Sequence, residues 1–273
     1  MKRIVNVLGK LGCGKRAYAV FVLCATTAMA LPAQTFTTLF SFDSAGAPNR
    51  LVQATNGDFY GTTSDGGAGY GTVFTIIPGG TLTTLYSFCS QGACTDGENP
   101  SGLVQATNGD LYGTTSHGGA FGNGCAPYGC GTVFKITPSG TLTTLYTFCS
   151  QSGCMDGQYP VAGLVQATNG NLYGTTGVGG AHGDGTIYRL SVGLGPFVET
   201  QPSSGDVGAA VNILGTDLTG ATSVSFDGTA AVFTVVGHSL ITTTVPAGAS
   251  SGEVQVVTPG GTLSSNVPFQ VVP

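Results

Sequence analysis

The sequence has no tryptophan, and only 8% of its 273 residues are charged. Basic residues are the scarcest of these. Lys2, Arg3, Lys10, Lys15 and Arg16 sit at the start, and beyond them only Arg50, Lys135 and Arg189 face 13 acids, for a net charge near −10. Binding to phosphate requires clustered Lys and Arg, so nucleic acid and an anionic membrane surface are excluded as partners. Catalytic signatures are missing as well: no Gly-x-Ser-x-Gly, His-Glu-x-x-His or recurring acid pair occurs. What is abundant is Gly (46 residues), with Thr, Val and aromatic residues, and this mixture favours many short strands joined by tight turns. The 41% apolar content argues against wholesale disorder.

The basic start, the apolar stretch 17–30 and the small residues Ala28-Met29-Ala30 predict a secretory signal peptide over residues 1–30. A membrane anchor is the competing reading, but the apolar stretch falls short of the roughly 20 residues that a spanning helix needs. No membrane span is expected once the leader is removed, and the location expected is secreted or cell-surface. Cysteine usage agrees. Cys13 and Cys24 lie in the leader, and the other six form three equally spaced pairs, Cys89 with Cys94, Cys125 with Cys130 and Cys149 with Cys154. In an exported chain these read as small-loop disulfides. Zinc is the alternative, although it usually prefers Cys-x2-Cys pairs with nearby His. No cofactor and no metal are expected.

Leu-Val-Gln-Ala-Thr-Asn-Gly, completed by Gly-Thr-Thr, occurs at residues 51–63, 103–115 and 164–176, at intervals of 52 and 61 residues. A period of this size marks a repeat architecture. In the middle copy, residues 103–107 and 110–115 read as strands a and b around the hairpin signal Asn108-Gly109. Residues 131–137 and 141–148 read as strands c and d around Pro138-Ser139-Gly140. A lone d-like segment, residues 35–42, precedes the first copy, and the third copy ends after c at residues 185–191. The expected fold class is all-β: a propeller-like array of about three four-stranded blades over residues 35–191, followed by an immunoglobulin-like β-sandwich over residues 196–273. Pairing of residues 35–42 with residues 185–191 would close a ring. Three blades are few, so an open ring, a ring completed by a homo-oligomer, or a stacked solenoid are the other arrangements.

The stretches 102–115 and 131–146 closely resemble the Gloeobacter/Verrucomicrobia tandem repeat of exported bacterial proteins, over about residues 35–191. The resemblance implies a propeller-like repeat at the cell surface or secreted, and no particular activity. Residues 211–218, 224–228, 245–248 and 257–261 in turn look like an IPT/TIG domain, which in bacterial surface proteins implies a spacer or binding module. This copy has no Lys or Arg and no Cys.

In an antiparallel blade the b–c and d–a loops share one end. That end collects all three cysteine pairs together with Asp65, His117, His182 and Asp184, and loops on a rigid scaffold are where binding usually resides. His117, Tyr128, His182 and Asp184 are the candidate binding residues, although His117 and His182 occupy unrelated positions in their repeats and read equally well as exposed polar residues. Tyr70, Tyr128 and Tyr159 offer stacking surface for a sugar. Asp96, Glu98 and Asp156 could ligate calcium, but their spacing matches no EF-hand loop. The functional expectation is a non-enzymatic binding or adhesion protein for an extracellular glycan or protein. The alternatives are a propeller-type polysaccharide hydrolase or lyase, and a purely structural envelope protein.

Overall fold

The computed structural model describes residues 34–43, 46–119 and 125–272. The expected leader, residues 1–30, lies outside them. The chain divides into two units between Thr37 and Thr38. The second unit is all-β.

The first repeat folds into a meander, β1 (Val52–Gln53), β2 (Phe59–Thr63), β3 (Thr72–Ile76) and β4 (Leu82–Ser87), hydrogen-bonded in that order. The second contains β5 (Glu98–Pro100), β6 (Val104–Gln105), β7 (Leu111–His117), β8 (Thr132–Ile136) and β9 (Leu142–Thr147). Its strand a is therefore two pieces, because β5 and β6 both pair with β7. The third repeat has three strands, β10 (Val165–Gln166), β11 (Leu172–Thr176) and β12 (Thr186–Leu190), and β12 ends the sheet. Residues 38–42 form no strand and do not pair with β12.

The repeated motif is consumed by this scaffold. Its turn is a three-residue loop, not the two-residue Asn-Gly hairpin expected: Ala106 N–H donates to Asp110 O, and Gly109 N–H donates back to Ala106 O. Only the Gly adopts positive φ, +84° at Gly109. The Asn side chain instead ties the turn, with Asn108 Oδ1 accepting from Asp110 N–H and Nδ2 donating to the Tyr112 hydroxyl at 3.1 Å. Asn56 and Asn169 do the same with Tyr60 and Tyr173. Gly113 faces Phe134 across the ladder, and a Cβ there would lie 2.6 Å from Phe134 Cζ. The final Thr of the motif shares a hydrogen bond with the first Thr of strand c, as Thr115 does with Thr132 at 2.8 Å.

Other motif residues join one repeat to the next. Gln105 Oε1 accepts from Thr55 N–H at 2.9 Å, and Gln166 Oε1 from Thr107 N–H at 3.0 Å. Thr62 donates to Ser101 O, and Thr114 to Ala162 O, in the kink that breaks strand a. Between the sheets, the ring that ends strand d of one repeat packs edge-on against the strand c ring of the next: Phe42 on Phe74 at 5.3 Å, Phe88 on Phe134 at 5.1 Å, Phe148 on Tyr188 at 5.0 Å. The middle sheet is thus covered on both faces. Phe134 and Ile136 pack with Phe88 and Leu103 on one side, and Val133 packs with Phe148 and Leu172 on the other.

The remaining strands form two four-stranded sheets and a parallel pair, residues 204–206 with 270–272. Val211 and Ile213, Val224 and Phe226, and Val254 and Val256 alternate inward, and Phe226 meets Phe269 edge-on at 5.1 Å. The strand Gly261–Ser264 pairs with Val254–Thr258. Phe197 N–H donates to Thr168 O at 2.9 Å where the sandwich meets the third repeat.

Candidate binding face

The d–a and b–c loops do meet at one end. Gly119 N–H donates to Cys94 O, and Gly180 N–H to Cys154 O, both at 2.9 Å. The three expected disulfides are formed, Cys89–Cys94, Cys125–Cys130 and Cys149–Cys154. The sulfurs of Cys125, Cys130 and Cys149 lie within 4.8 Å of one another, but all three are in disulfides, so no thiolate is offered to zinc.

The carboxylates weighed for calcium are already used. Asp96 is fully buried, and its Oδ2 accepts from the Tyr86 hydroxyl at 2.7 Å and Ser90 N–H at 3.0 Å, while Oδ1 accepts from Gln91 N–H. Asp156 repeats this with Tyr146, Ser150 and Gln151. Both oxygens of each carboxylate thus accept hydrogen bonds from neighbouring hydroxyls and amides, so the Tyr–Ser–Asp sets act as loop clamps. Burial works to raise the Asp156 carboxyl, but the Tyr146, Ser150 and Gln151 hydrogen bonds together outweigh it and hold it below the ordinary range. Burial first, and the Asp partner second after the opposing Ser90 or Ser150 bond, raise the Tyr86 and Tyr146 hydroxyls.

Four side chains from four segments converge elsewhere on this end. His117 is the last residue of β7 and pairs with Glu98 of β5. Its ring lies 5.9 Å from that of Tyr128, edge-on, and 5.4 Å from that of Tyr159, while Nδ1 shares a hydrogen bond with Ser116 Oγ at 2.9 Å. Tyr128 is carried by the loop that Cys125–Cys130 closes, and its backbone carbonyl accepts from Gly118 N–H at 2.7 Å, next to His117. Tyr159 is fixed by a bond from its N–H to Cys130 O at 2.9 Å and sits at φ +57°. Tyr128 is 62% exposed, so one ring of the group faces solvent from a rigid mount. Glu98 is buried, which raises its carboxyl against the opposing pull of the His117 charge.

His182 and Asp184 lie in the corresponding turn of the third repeat, both exposed, and no described hydrogen bond, ion pair or ring contact joins their side chains to the His117 group. The third repeat places Gln158 and Val178 opposite one another where the second has Glu98 and His117. That difference between copies is the sequence signal that singles out Glu98 as part of the group.

A model of the Gloeobacter/Verrucomicrobia repeat matches residues 24–225. The chain belongs to that family. In this repeat-family member an IPT/TIG domain model matches residues 197–271, so residues 197–225 fall in both matches, and the structure places them in the immunoglobulin-like sandwich. No curated protein matches the chain. Among the solved structures that are similar to it are two with xyloglucan in their descriptions. One is a crystal structure with xylogluco-oligosaccharide, 16% identical, covering 59% of this chain and 36% of its own, with a TM-score of 0.25. The other is SGBP-B from a complex xyloglucan utilization locus in Bacteroides uniformis, 14% identical, covering 62% of this chain and 47% of its own, with a TM-score of 0.24. The chain thus spans less than half the length of either, and TM-scores of 0.25 and 0.24 fix neither fold nor ligand for it. Among the described residues no helix is long and apolar enough to cross a membrane.

Proposed function

We propose that the chain is an exported, non-enzymatic binding protein, in which residues 35–191 form a propeller-like array and the face holding His117, Tyr128 and Tyr159 takes a neutral extracellular glycan. Residues 1–30 serve as the leader, and the sandwich, residues 196–273, acts as spacer or second contact. The observation that carries the reading is the three-ring group with Tyr128 facing solvent on a disulfide-closed loop. A sugar presents an apolar C–H face to such a ring and hydroxyls to neighbouring polar groups, here the His117 imidazole and the Glu98 carboxyl. The scarcity of Lys and Arg disfavours sulfated or phosphorylated ligands. Binding is favoured over hydrolysis because glycosidases ordinarily need two carboxyl groups about 5–9.5 Å apart, and Asp96, the acid nearest Glu98 in sequence, has both oxygens engaged.

The test is a glycan array probed with the chain from Leu31 onward, beside Tyr128→Ala and His117→Ala. We expect signal on neutral glycans that falls at least about tenfold in each variant, the equivalent of ~1.4 kcal/mol. Absence of binding to any glycan, or binding indifferent to both substitutions, would sink the proposal.

A further inference from the structure

The two ends of the repeat array are unfinished in complementary ways. At the tail, β12 has β11 as its strand partner and an open opposite edge among the described residues, whereas β3 and β8 are each covered there by a strand d. The lack of a strand d and of a following repeat shows at Ile187, which is 83% exposed where its counterparts Val73 and Val133, packed against Leu111 and Leu172 of the next repeat, are 0% and 1%. A groove of about 340 Å³ runs along this strand, lined by Ile187, Arg189 and Leu190 with Tyr146 and Met155 beside them. At the head, Leu51 is 47% exposed where Leu103 and Leu164 are 7% and 6%. Beside it, Leu39 and Phe40 are exposed, in a segment that reads as strand d by sequence but has no strand c to pair with.

We infer that the head of a second copy of this chain completes the tail of the first, with residues 35–42 of the second copy pairing as the missing strand d on β12. Several observations select this occupant. Residues 35–42, Thr-Phe-Thr-Thr-Leu-Phe-Ser-Phe, match residues 81–88 and 141–148, which fill the equivalent edge in the other two repeats. The register carried over from β3 and β4 sets Phe40 opposite Ile187, as Tyr86 is opposite Val73. Phe42 already packs on Phe74 as Phe88 packs on Phe134, so the segment is docked on its own following repeat and lacks only the preceding one. Tyr86 and Tyr146 each need an Asp clamp for the hydroxyl; Phe40 has no hydroxyl, and the loop after it has no matching Cys pair. The segment is also uncharged, so it meets Arg189 without repulsion. The contact buries an open sheet edge and an apolar face together. It is head-to-tail, so it generates rings where the rotation closes and filaments where it does not.

The experiment is sedimentation velocity on the chain from Leu31 onward, with two variants that each disable one end. Ile187→Lys acts at an exposed side chain, so the isolated fold is retained, as circular dichroism will confirm; deletion of residues 34–42 removes the donor. Wild type should form species of two or more chains whose fraction rises with concentration, and each variant alone should associate at least about tenfold more weakly. Mixed, the two variants should restore a 1:1 dimer and nothing larger, because one supplies an intact head and the other an intact tail. Strictly monomeric wild type, whether through closure by its own segment or an edge left open, overturns the inference. So does association that both variants leave unchanged, or a mixture that stays monomeric.

Discussion

Replacing Tyr188 with Phe should stabilise the protein. Phe74 and Phe134 occupy the same position in the other repeats and fit over Gly61 and Gly113, whereas Tyr188 brings a hydroxyl into contact with the site of a would-be Gly174 Cβ. That hydroxyl is buried and has no hydrogen-bond partner among the described residues. Burial raises it well above the ordinary tyrosine range. A buried polar group left unpaired costs about 1–3 kcal/mol. Tyr188 as a whole is only part-buried, so the lower end applies, about 1 kcal/mol, or a rise in Tm of roughly 2–4 °C for a chain of this size. The edge-on contact with Phe148 at 5.0 Å survives the change. Differential scanning calorimetry suits the measurement, since the chain has no tryptophan to report unfolding. A second readout is pH. The folded state resists ionising Tyr188, so wild-type stability declines as pH rises past the unfolded tyrosine value of about 10, and the advantage of Tyr188→Phe should widen there. A variant less stable than wild type would refute the reasoning, since it would mean that the hydroxyl has a partner worth more than its burial costs.

Gly113→Ala sets a Cβ 2.6 Å from Phe134 Cζ and 2.9 Å from Leu103 Cδ2, and should cost about 1–3 kcal/mol in urea unfolding, as overpacking does. Asp96→Ala leaves the Tyr86 hydroxyl and the Ser90 and Gln91 amides without their acceptor and should cost about 2–3 kcal/mol. Asp156, whose carboxyl is held low, contributes stability that is present above the unfolded value of about 3.9 and is lost as pH falls through its lower folded pKa; Asp156→Asn should flatten that acid limb. Glu98 has the opposite sign. Its raised carboxyl favours the protonated folded state, so stability declines as pH climbs from the unfolded value of about 4.3 through the folded one, and Glu98→Gln should gain stability at neutral pH but not below pH ~4.

The strand meander of each repeat is legible because its cues are local. Residues 131–137 alternate and end at Pro138, and the observed β8 and β9 lie inside the stretches read as c and d. The disulfides are legible for the same reason, each joining residues five apart. The turn type was not, because the Asn side chain decides it by reaching Tyr112, a contact that the Asn-Gly signal does not contain. The partners of Asp96 and Asp156 were not legible either, since the hydroxyls that bind them come from Tyr86 and Tyr146, on the other side of a closed loop.

The sequence alone settled the all-β class, the threefold repeat, the sandwich after it and the three cysteine pairings, all of which rest on period-two patterning, turn residues and short-range spacing. The tertiary structure decided why the motif repeats at all: its Gln and Thr residues serve the neighbouring repeat at separations of 39 to 50 residues, and its Gly makes room for a ring across the ladder, contacts that no local pattern encodes. It also decided which loop residues meet. His117, Tyr128 and Tyr159 converge because two hydrogen bonds and a disulfide fold separate loops onto the end of one strand, while His182, in the next sheet along, is left outside.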